Sequence, residues 1–255
     1  MSPPTDALTD SERQALAGRL LALRTQIDAA CREAARVDPP LLLAVSKGQP
    51  AAAIRAAYAL GQRDFGENYV QELTLKAAAL ADLRELRFHA IGHLQRNKVK
   101  HVALHAQAVH SVDSTSVLAE LERRMAGREV AAERRAFGTD PRLPVFVEVS
   151  IAGEAQKGGC DPAELAALLA AADAASSLRV VGLMCVPPLD AEPEQSRRHF
   201  DALRQLRDEH GGVQRLPELS MGMTQDFEQA IRAGSTVVRV GTAIFGPRSP
   251  RTETA

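Results

Sequence analysis

The apolar positions change their period along this chain, and those changes outline its elements. Between Ser11 and Val37, Leu16, Leu20, Leu23, Ile27 and Ala30 recur at three and four residues, which makes one apolar helix face. Thr9 and Glu12 stand at capping-box spacing before it. Asp38-Pro39-Pro40 is expected to end it, because the residue before a proline avoids the helical region. Short apolar or β-branched runs then predict strands at Leu41–Val45, Arg63–Gly66, Leu86–Ile91, Ala108–Val112, Val145–Val149, Val180–Cys185, Glu218–Met221 and Thr236–Val240. Between them, helical composition fills Ala51–Leu60, Tyr69–Ala81, a short Leu94–Leu104, Ser116–Arg135, Pro162–Ala175, Glu194–His210 and Gln225–Ala233. Eight strands with seven helical connections after one leading helix predict an α/β fold, a (β/α)8 TIM-type barrel with an extra N-terminal helix. An open doubly wound sheet could use the same alternation, but the first strand lacks the GxGxxG loop that usually marks it.

Composition narrows the partners. A chain of 255 residues with no evident linker fits a single barrel domain over 1–255. Its net charge of -1, two tyrosines and absence of tryptophan give no basic surface and no aromatic platform for nucleic acid or an anionic membrane. No run of about 18 residues is free of charged and polar interruption, so no membrane span is expected. Met1–Asp10 lacks the basic start and apolar run of a secretory signal. Cys31, Cys160 and Cys185 are odd in number and form no CxxC, which fits a reduced, cytoplasmic setting. A monomer is expected. The arginines between Arg123 and Arg142 read as a solvated helix end and loop.

In an α/β barrel, chemistry sits where strands end and loops begin. Lys47 follows the run Leu41–Ser46 at the end of the first strand, which would turn its amine into the barrel mouth; alone, a strand-end lysine is ordinarily just solvated. Arg239 adds weight. In Thr236-Val237-Val238-Arg239-Val240-Gly241, alternation puts Val237, Arg239 and Gly241 on one side. A guanidinium inside so apolar a strand is costly unless an acceptor or anion meets it. Barrel closure makes the eighth strand a neighbour of the first, so Arg239 is expected beside Lys47 at the same mouth, favouring the neutral amine that imine formation needs. Loops after strands seven and eight recurrently bind phosphate in these barrels. Here they read Ser220-Met221-Gly222-Met223-Thr224, with Thr224 placed as a helix N-cap and Gly222 leaving room for a ligand, and Gly241-Thr242-Ala243. Asn68, ending strand two, could hydrogen-bond a ring hydroxyl or cap the next helix. His101 and His105 share helical spacing without an evident third ligand, which makes them a surface pair and leaves no metal site. Glu154 and Lys157 look like part of a mobile loop at the mouth.

Several of these segments together resemble the pyridoxal phosphate homeostasis protein family. They are Ala44-Val45-Ser46-Lys47, Phe65-Gly66-Glu67-Asn68-Tyr69-Val70-Gln71-Glu72, the run Phe88–Lys98, Leu183-Met184, Leu219–Thr224 and Val238–Gly246. They run in order along nearly the whole chain. The family is similar to the N-terminal barrel of alanine racemase. The resemblance implies that pyridoxal 5'-phosphate (PLP) is held as a Schiff base on Lys47, with Arg239 facing the pyridine nitrogen. It implies Asn68 beside the ring, and Ser220, Thr224, Gly241 and Thr242 around the phosphate. It further implies a role in intracellular vitamin B6 homeostasis without turnover, with apo forms of PLP-dependent enzymes as candidate protein partners. This chain departs from the usual pattern at Gly48-Gln49, Ser150 and Thr224, and around Gly127–Pro141.

Two other functions remain open at this stage. A low-activity PLP-dependent amino-acid racemase would need a second acid on the opposite face of the substrate, and Tyr58 and Tyr69 both fall in helical segments of the first third. A barrel binding another phosphorylated metabolite would need no imine at all.

Overall fold

The computed structural model describes residues 7–127, 141–153, 158–188 and 191–247. Eight strands close into a parallel barrel in sequence order: β1 Leu41–Val45, β2 Asp64–Glu67, β3 Arg87–Ala90, β4 Ala108–Val112, β5 Leu143–Glu148, β6 Leu178–Met184, β7 Glu218–Ser220 and β8 Val237–Val240. Closure is direct, since β1 pairs with β8 over Leu41↔Val237 to Ala44↔Val240. The helices are α1 Asp10–Glu33, α2 Ala51–Ala59, α3 Val70–Ala79, α4 Val99–His105, α5 Thr115–Met125, α6 Leu165–Asp173, α7 Pro193–Glu209, the one-turn α8 Gly212–Arg215, α9 Phe227–Arg232 and the one-turn α10 Thr242–Phe245. The predicted helix 94–104 divides into a 3-10 turn, Arg96–Lys98, followed by α4. The predicted helix 116–135 ends at Met125 within the described residues. Arg128, Arg134 and Arg135 of the charged segment, and Glu154 and Lys157, lie outside them.

Strand alternation sorts the apolar side chains into two layers. Ala44, Phe65, Val238 and Val240 join the layer between strands and helices. Leu43, Phe146, Val181, Met184 and Val237 form a separate cluster inside the barrel. Two irregularities shape this interior. β4 carries an extra residue against β5 between Val109 and Val112, beside His110. At Gly182 on β6, an added Cβ would lie 1.9 Å from the Glu218 carbonyl oxygen, so only glycine lets β6 and β7 approach this closely.

The leading helix α1 completes the outer ring by packing on α2, α9 and α10. Its apolar stripe is the expected one: Leu16, Leu20, Leu23, Ile27 and Ala30 are buried, and truncating any of these leucines to alanine would cost about 2–5 kcal/mol. The Thr9/Glu12 capping box is present. The end of the helix differs from expectation. It stops at Glu33, ahead of the prolines, in a Schellman turn. Arg36 N donates to Cys31 O at 2.8 Å and Ala35 N to Arg32 O at 3.1 Å. The motif needs a left-handed residue, and Ala35 takes that role at φ 52°.

A left-handed alanine is strained by about 1–2 kcal/mol. Glycine would relieve this while adding about 0.4–1 kcal/mol of freedom to the unfolded chain. Ala35→Gly is therefore expected to raise stability by about 0.5–1 kcal/mol, read as a higher urea midpoint at unchanged slope.

Candidate cofactor site

Lys47 follows β1 in a short turn at the C-terminal end of the barrel. Alternation puts Leu43 inside and Ala44 outside, and Ser46 keeps to the outer side, where its hydroxyl donates to Glu67 Oε1 at 2.7 Å. The same alternation carried one residue further turns Lys47 inward. Its turn is clamped from both sides. Lys76 Nζ on α3 donates to the Ser46 carbonyl at 2.7 Å, to Glu67 Oε1 at 2.7 Å and to Glu72 Oε2 at 2.8 Å. Glu72 Oε2 in turn accepts from the Gly48 amide at 2.7 Å. The residues on either side of Lys47 are thus tied to one ion cluster, buried at Glu67 and Lys76 and half-buried at Glu72. Burial raises the Glu67 pKa against the pull of Lys76 and Ser46, and its second oxygen is buried without a partner. Glu67 and Glu72 entered above only as part of the family motif, and Lys76 not at all. The sequence signal was the spacing alone: Lys76 stands three residues after Leu73, on the face that α3 buries.

Arg239 faces the interior, as expected from its strand, but lies deeper than the rim. It pairs in register with Leu43, four residues before Lys47, and is 4% exposed. Its guanidinium donates from Nη1 to Ser220 Oγ and from Nη2 to the Cys185 carbonyl, both at 2.8 Å. Burial pulls its pKa down, while Cys185, Glu148 and Asp226 oppose that pull. The Cys185 thiol is pushed up to about 12, chiefly by burial, so it stays protonated beside the arginine.

Ser220 lies below the mouth rather than at it. It is fully buried, with its hydroxyl committed to Arg239 and to His110 Nδ1 at 2.8 Å. Thr224, Gly241 and Thr242, the other residues expected around a phosphate, lie in the loops that follow β7 and β8. Thr224 does not cap a helix. It sits half-buried in the turn before α9, whose N-cap is Asp226, and Asp226 Oδ1 accepts from the Met223 amide at 2.6 Å. Gly222 also has a different reason from the one expected. At φ +94° an added Cβ would meet Ala230 Cβ at 2.5 Å, so it makes room for α9 and not for a ligand. Gly241 passes close to β1, where an added Cβ would meet the Val45 carbonyl oxygen at 3.0 Å. The turn it opens closes on the Gly241 carbonyl through the Ile244 and Phe245 amides. The amides of Thr242 and Ala243, one turn earlier, lack an intrahelical acceptor by their position. Asn68 is no helix cap, for α3 begins after Tyr69 without a side-chain cap. Its backbone packs against Gly92, where an added Cβ would lie 2.3 Å from the Asn68 carbonyl oxygen. Its side-chain Oδ1 is buried and unpartnered, an acceptor that a ligand hydroxyl would satisfy.

Glu148, at the inner end of β5, was not anticipated. It is 8% exposed, and burial with Asp113 nearby raises its pKa to about 7 despite Arg239 and His93. His93 and Asp113 pair at 3.1 Å on its flank. Among the described residues no group of three histidine, cysteine, aspartate or glutamate side chains could hold a metal ion. No helix among them is long and apolar enough to cross a membrane.

The raised Glu148 pKa fixes a sign. Below the ordinary value of 4.5 the carboxyl is protonated folded and unfolded alike. As pH rises toward 7 the unfolded chain ionises first, so stability falls, by at most about 3 kcal/mol. Glu148→Gln is expected to be more stable than the wild type near pH 8, with the two converging near pH 4.5, in urea unfolding at both pH values. A wild-type advantage at the higher pH would contradict it.

The match to known proteins spans this whole arrangement. Residues 19–249 match the model of the alanine racemase N-terminal domain. A pyridoxal phosphate homeostasis protein of Pseudomonas aeruginosa is 45% identical over 227 residues, covering 89% of this chain and 91% of that one. One from Aquifex aeolicus is 40% identical over 236 residues, covering 90% and 97%. The solved structure of PipY from Synechococcus elongatus with PLP bound superposes at TM-score 0.75 with 37% identity, covering 91% of this chain and all of that one. Alanine racemase of Corynebacterium glutamicum, at 16% identity and TM-score 0.65, shares the barrel, with 64% of its length covered. The chain belongs to the pyridoxal phosphate homeostasis protein family, built on the alanine racemase N-terminal barrel.

Proposed function

We propose that this protein binds PLP as a Schiff base on Lys47 and serves in intracellular PLP homeostasis as a carrier rather than an enzyme. One observation carries the reading. A lysine clamped just past the end of β1 follows a strand that pairs with the one carrying a buried arginine, next to a loop that exposes small residues. The Lys47 amine would condense with the aldehyde with loss of one water. Arg239 would face the ring nitrogen, and a guanidinium, which only donates, keeps that nitrogen unprotonated. When bound, PLP supplies an electron-withdrawing ring conjugated to the imine, and an unprotonated nitrogen weakens that withdrawal. Asn68 would accept from the ring hydroxyl or orient its oxygen. Thr224, Gly241 and Thr242 would surround the phosphate. A cytoplasmic monomer with a single domain completes the reading, and its three buried free cysteines fit a reducing compartment. Apo PLP-dependent enzymes are the protein partners that such a carrier would serve.

A second reading, a low-activity racemase, has one observation in its favour. Glu148 is an interior acid that ionises near neutrality, close enough to Arg239 to be influenced by it. Against it, neither tyrosine faces the interior: Tyr58 on α2 lies under the Arg63 guanidinium at 4.1 Å, and Tyr69 is exposed.

Adding PLP to the purified protein is expected to produce an imine absorbance band that Lys47→Ala abolishes. An undiminished band in that variant would overturn the assignment of Lys47. In deuterated water, the loaded protein is expected to exchange no α-proton of L-alanine or other L-amino acids above background. Sustained exchange that disappears in Glu148→Gln would instead establish the racemase.

A further inference from the structure

The interior of this barrel contains a continuous line of polar side chains. Asp64 on β2, His89 on β3, His110 on β4, Ser220 on β7 and Arg239 on β8 run from the strand-start end toward the Lys47 end. Asp64 Oδ1 lies 3.2 Å from His89 Nε2, and His89 Nδ1 lies 3.0 Å from His110 Nε2. His110 Nδ1 lies 2.8 Å from Ser220 Oγ, which accepts from Arg239 at 2.8 Å. All five residues are buried, and the His110 ring stacks on Phe146 at 4.1 Å. The lower end opens into a cavity of about 500 Å³ lined by Asp64, Arg87 and His89.

Counting hydrogens fixes the direction of this line. Burial raises the Asp64 pKa, but hydrogen bonds from Arg87 and His89 outweigh it and bring it to about 2, so Asp64 only accepts. His89 Nε2 must then carry a hydrogen. His110 is kept neutral by burial, with the Arg239 charge adding to the effect, so it carries one. With His89 neutral, a single arrangement gives every hydrogen an acceptor. Arg239 donates to Ser220, Ser220 to His110 Nδ1, His110 Nε2 to His89 Nδ1, and His89 Nε2 to Asp64.

We propose that Asp64, His89 and His110 are positioning residues for Arg239, which set the orientation of its acceptor Ser220 and make that orientation depend on the protonation of His89 at the far end of the barrel. One proton gained from solvent would end on His89 Nδ1. That nitrogen would then donate to His110 Nε2, so the ring hydrogen of His110 must sit on Nδ1 and donate to Ser220. Ser220 then accepts twice, and its own hydrogen loses its acceptor in a fully buried place. That lost hydrogen bond is what distinguishes the protonated arrangement from the neutral one. Besides Asp64, Arg87 and His110, the charged groups around the lower mouth are Arg36 and Asp38 before β1, Arg179 on β6 and Glu218 on β7. The hydrogen arrangement stands on this structure alone; its consequence for a ligand rests on the PLP reading of Arg239.

The test is ring 15N NMR of the full chain, ligand-free and labelled at histidine, from about pH 5 to about pH 8.5, the range of histidine titration. At the upper end both rings should show a bare Nδ1 and a protonated Nε2. As His89 gains its proton, His110 should exchange Nε2–H for Nδ1–H at the same midpoint without gaining charge. In His89→Gln that exchange should vanish; should that variant not fold, Asp64→Asn removes the negative charge beside His89 Nε2 and should move the midpoint of the His110 exchange to lower pH. A His110 hydrogen on Nδ1 at high pH, or a His110 ring indifferent to the titration of His89, overturns the proposal. In PLP-loaded protein, affinity should change about two- to tenfold across the same midpoint, the worth of one neutral hydrogen bond, and this step should be absent in His89→Gln. PLP binding without that step overturns the coupling. Failure of the wild type to bind PLP refutes the functional reading instead, while the ring spectra still decide the relay.

Discussion

A guanidinium keeps its charge in any protein interior and must be given acceptors there. Placing Arg239 on the inner face of β8 therefore dictates much of what surrounds it. The Cys185 carbonyl at the end of β6 and the Ser220 hydroxyl on β7 turn toward it. Ser220 in turn calls for His110, His110 for His89, and His89 for a carboxylate. A lumen that could have been filled by aliphatic layers is instead half polar, with Leu43, Phe146, Val181, Met184 and Val237 packed around the line. The polar groups satisfy one another, which is the condition under which a buried network rigidifies a site rather than weakening it.

The second organising feature lies on the other face of the strands. Ser46, Glu67, Glu72 and Lys76 form a cluster between β1, β2 and α3 whose members contact backbone on both sides of Lys47. A reactive side chain at a strand end is free to swing unless its backbone is fixed, and here an ion cluster behind the sheet does the fixing. Inner and outer faces thus divide the work: one places the arginine, the other the lysine. The glycines belong to this arrangement, since Gly241 lets β8 leave the barrel past Val45, and Gly92 lets β3 pass under Asn68.

Much of the fold was legible in the sequence, because a period of two and a period near 3.6 are properties of local chain geometry. β1 and β4 have the expected bounds, and Val237 and Arg239 fall on the inner side because strand alternation puts them on one face. Local rules failed where tertiary contact took over. The prolines after α1 predicted its end four residues late, because a left-handed Ala35 had already turned the chain. Thr224 looked like a cap by residue type, but Asp226 has the position. Ser220 was expected beside a phosphate at the mouth, although its place in β7 turns its hydroxyl to Arg239 and His110 within the lumen. The histidines His89 and His110 were invisible as a pair, since only barrel closure brings residues 21 positions apart on β3 and β4 to one line with Ser220. Glu148 went unnoticed for the same reason: its setting is made by other strands.

The account comes down to which amine meets the aldehyde. Treating PLP-loaded protein with borohydride and mapping the digest by mass spectrometry answers this directly. The account predicts a reduced pyridoxyl group on the peptide containing Lys47, in near-stoichiometric yield. A modification spread over surface lysines, or concentrated on Lys76 or another residue with Lys47 unmodified, would contradict it.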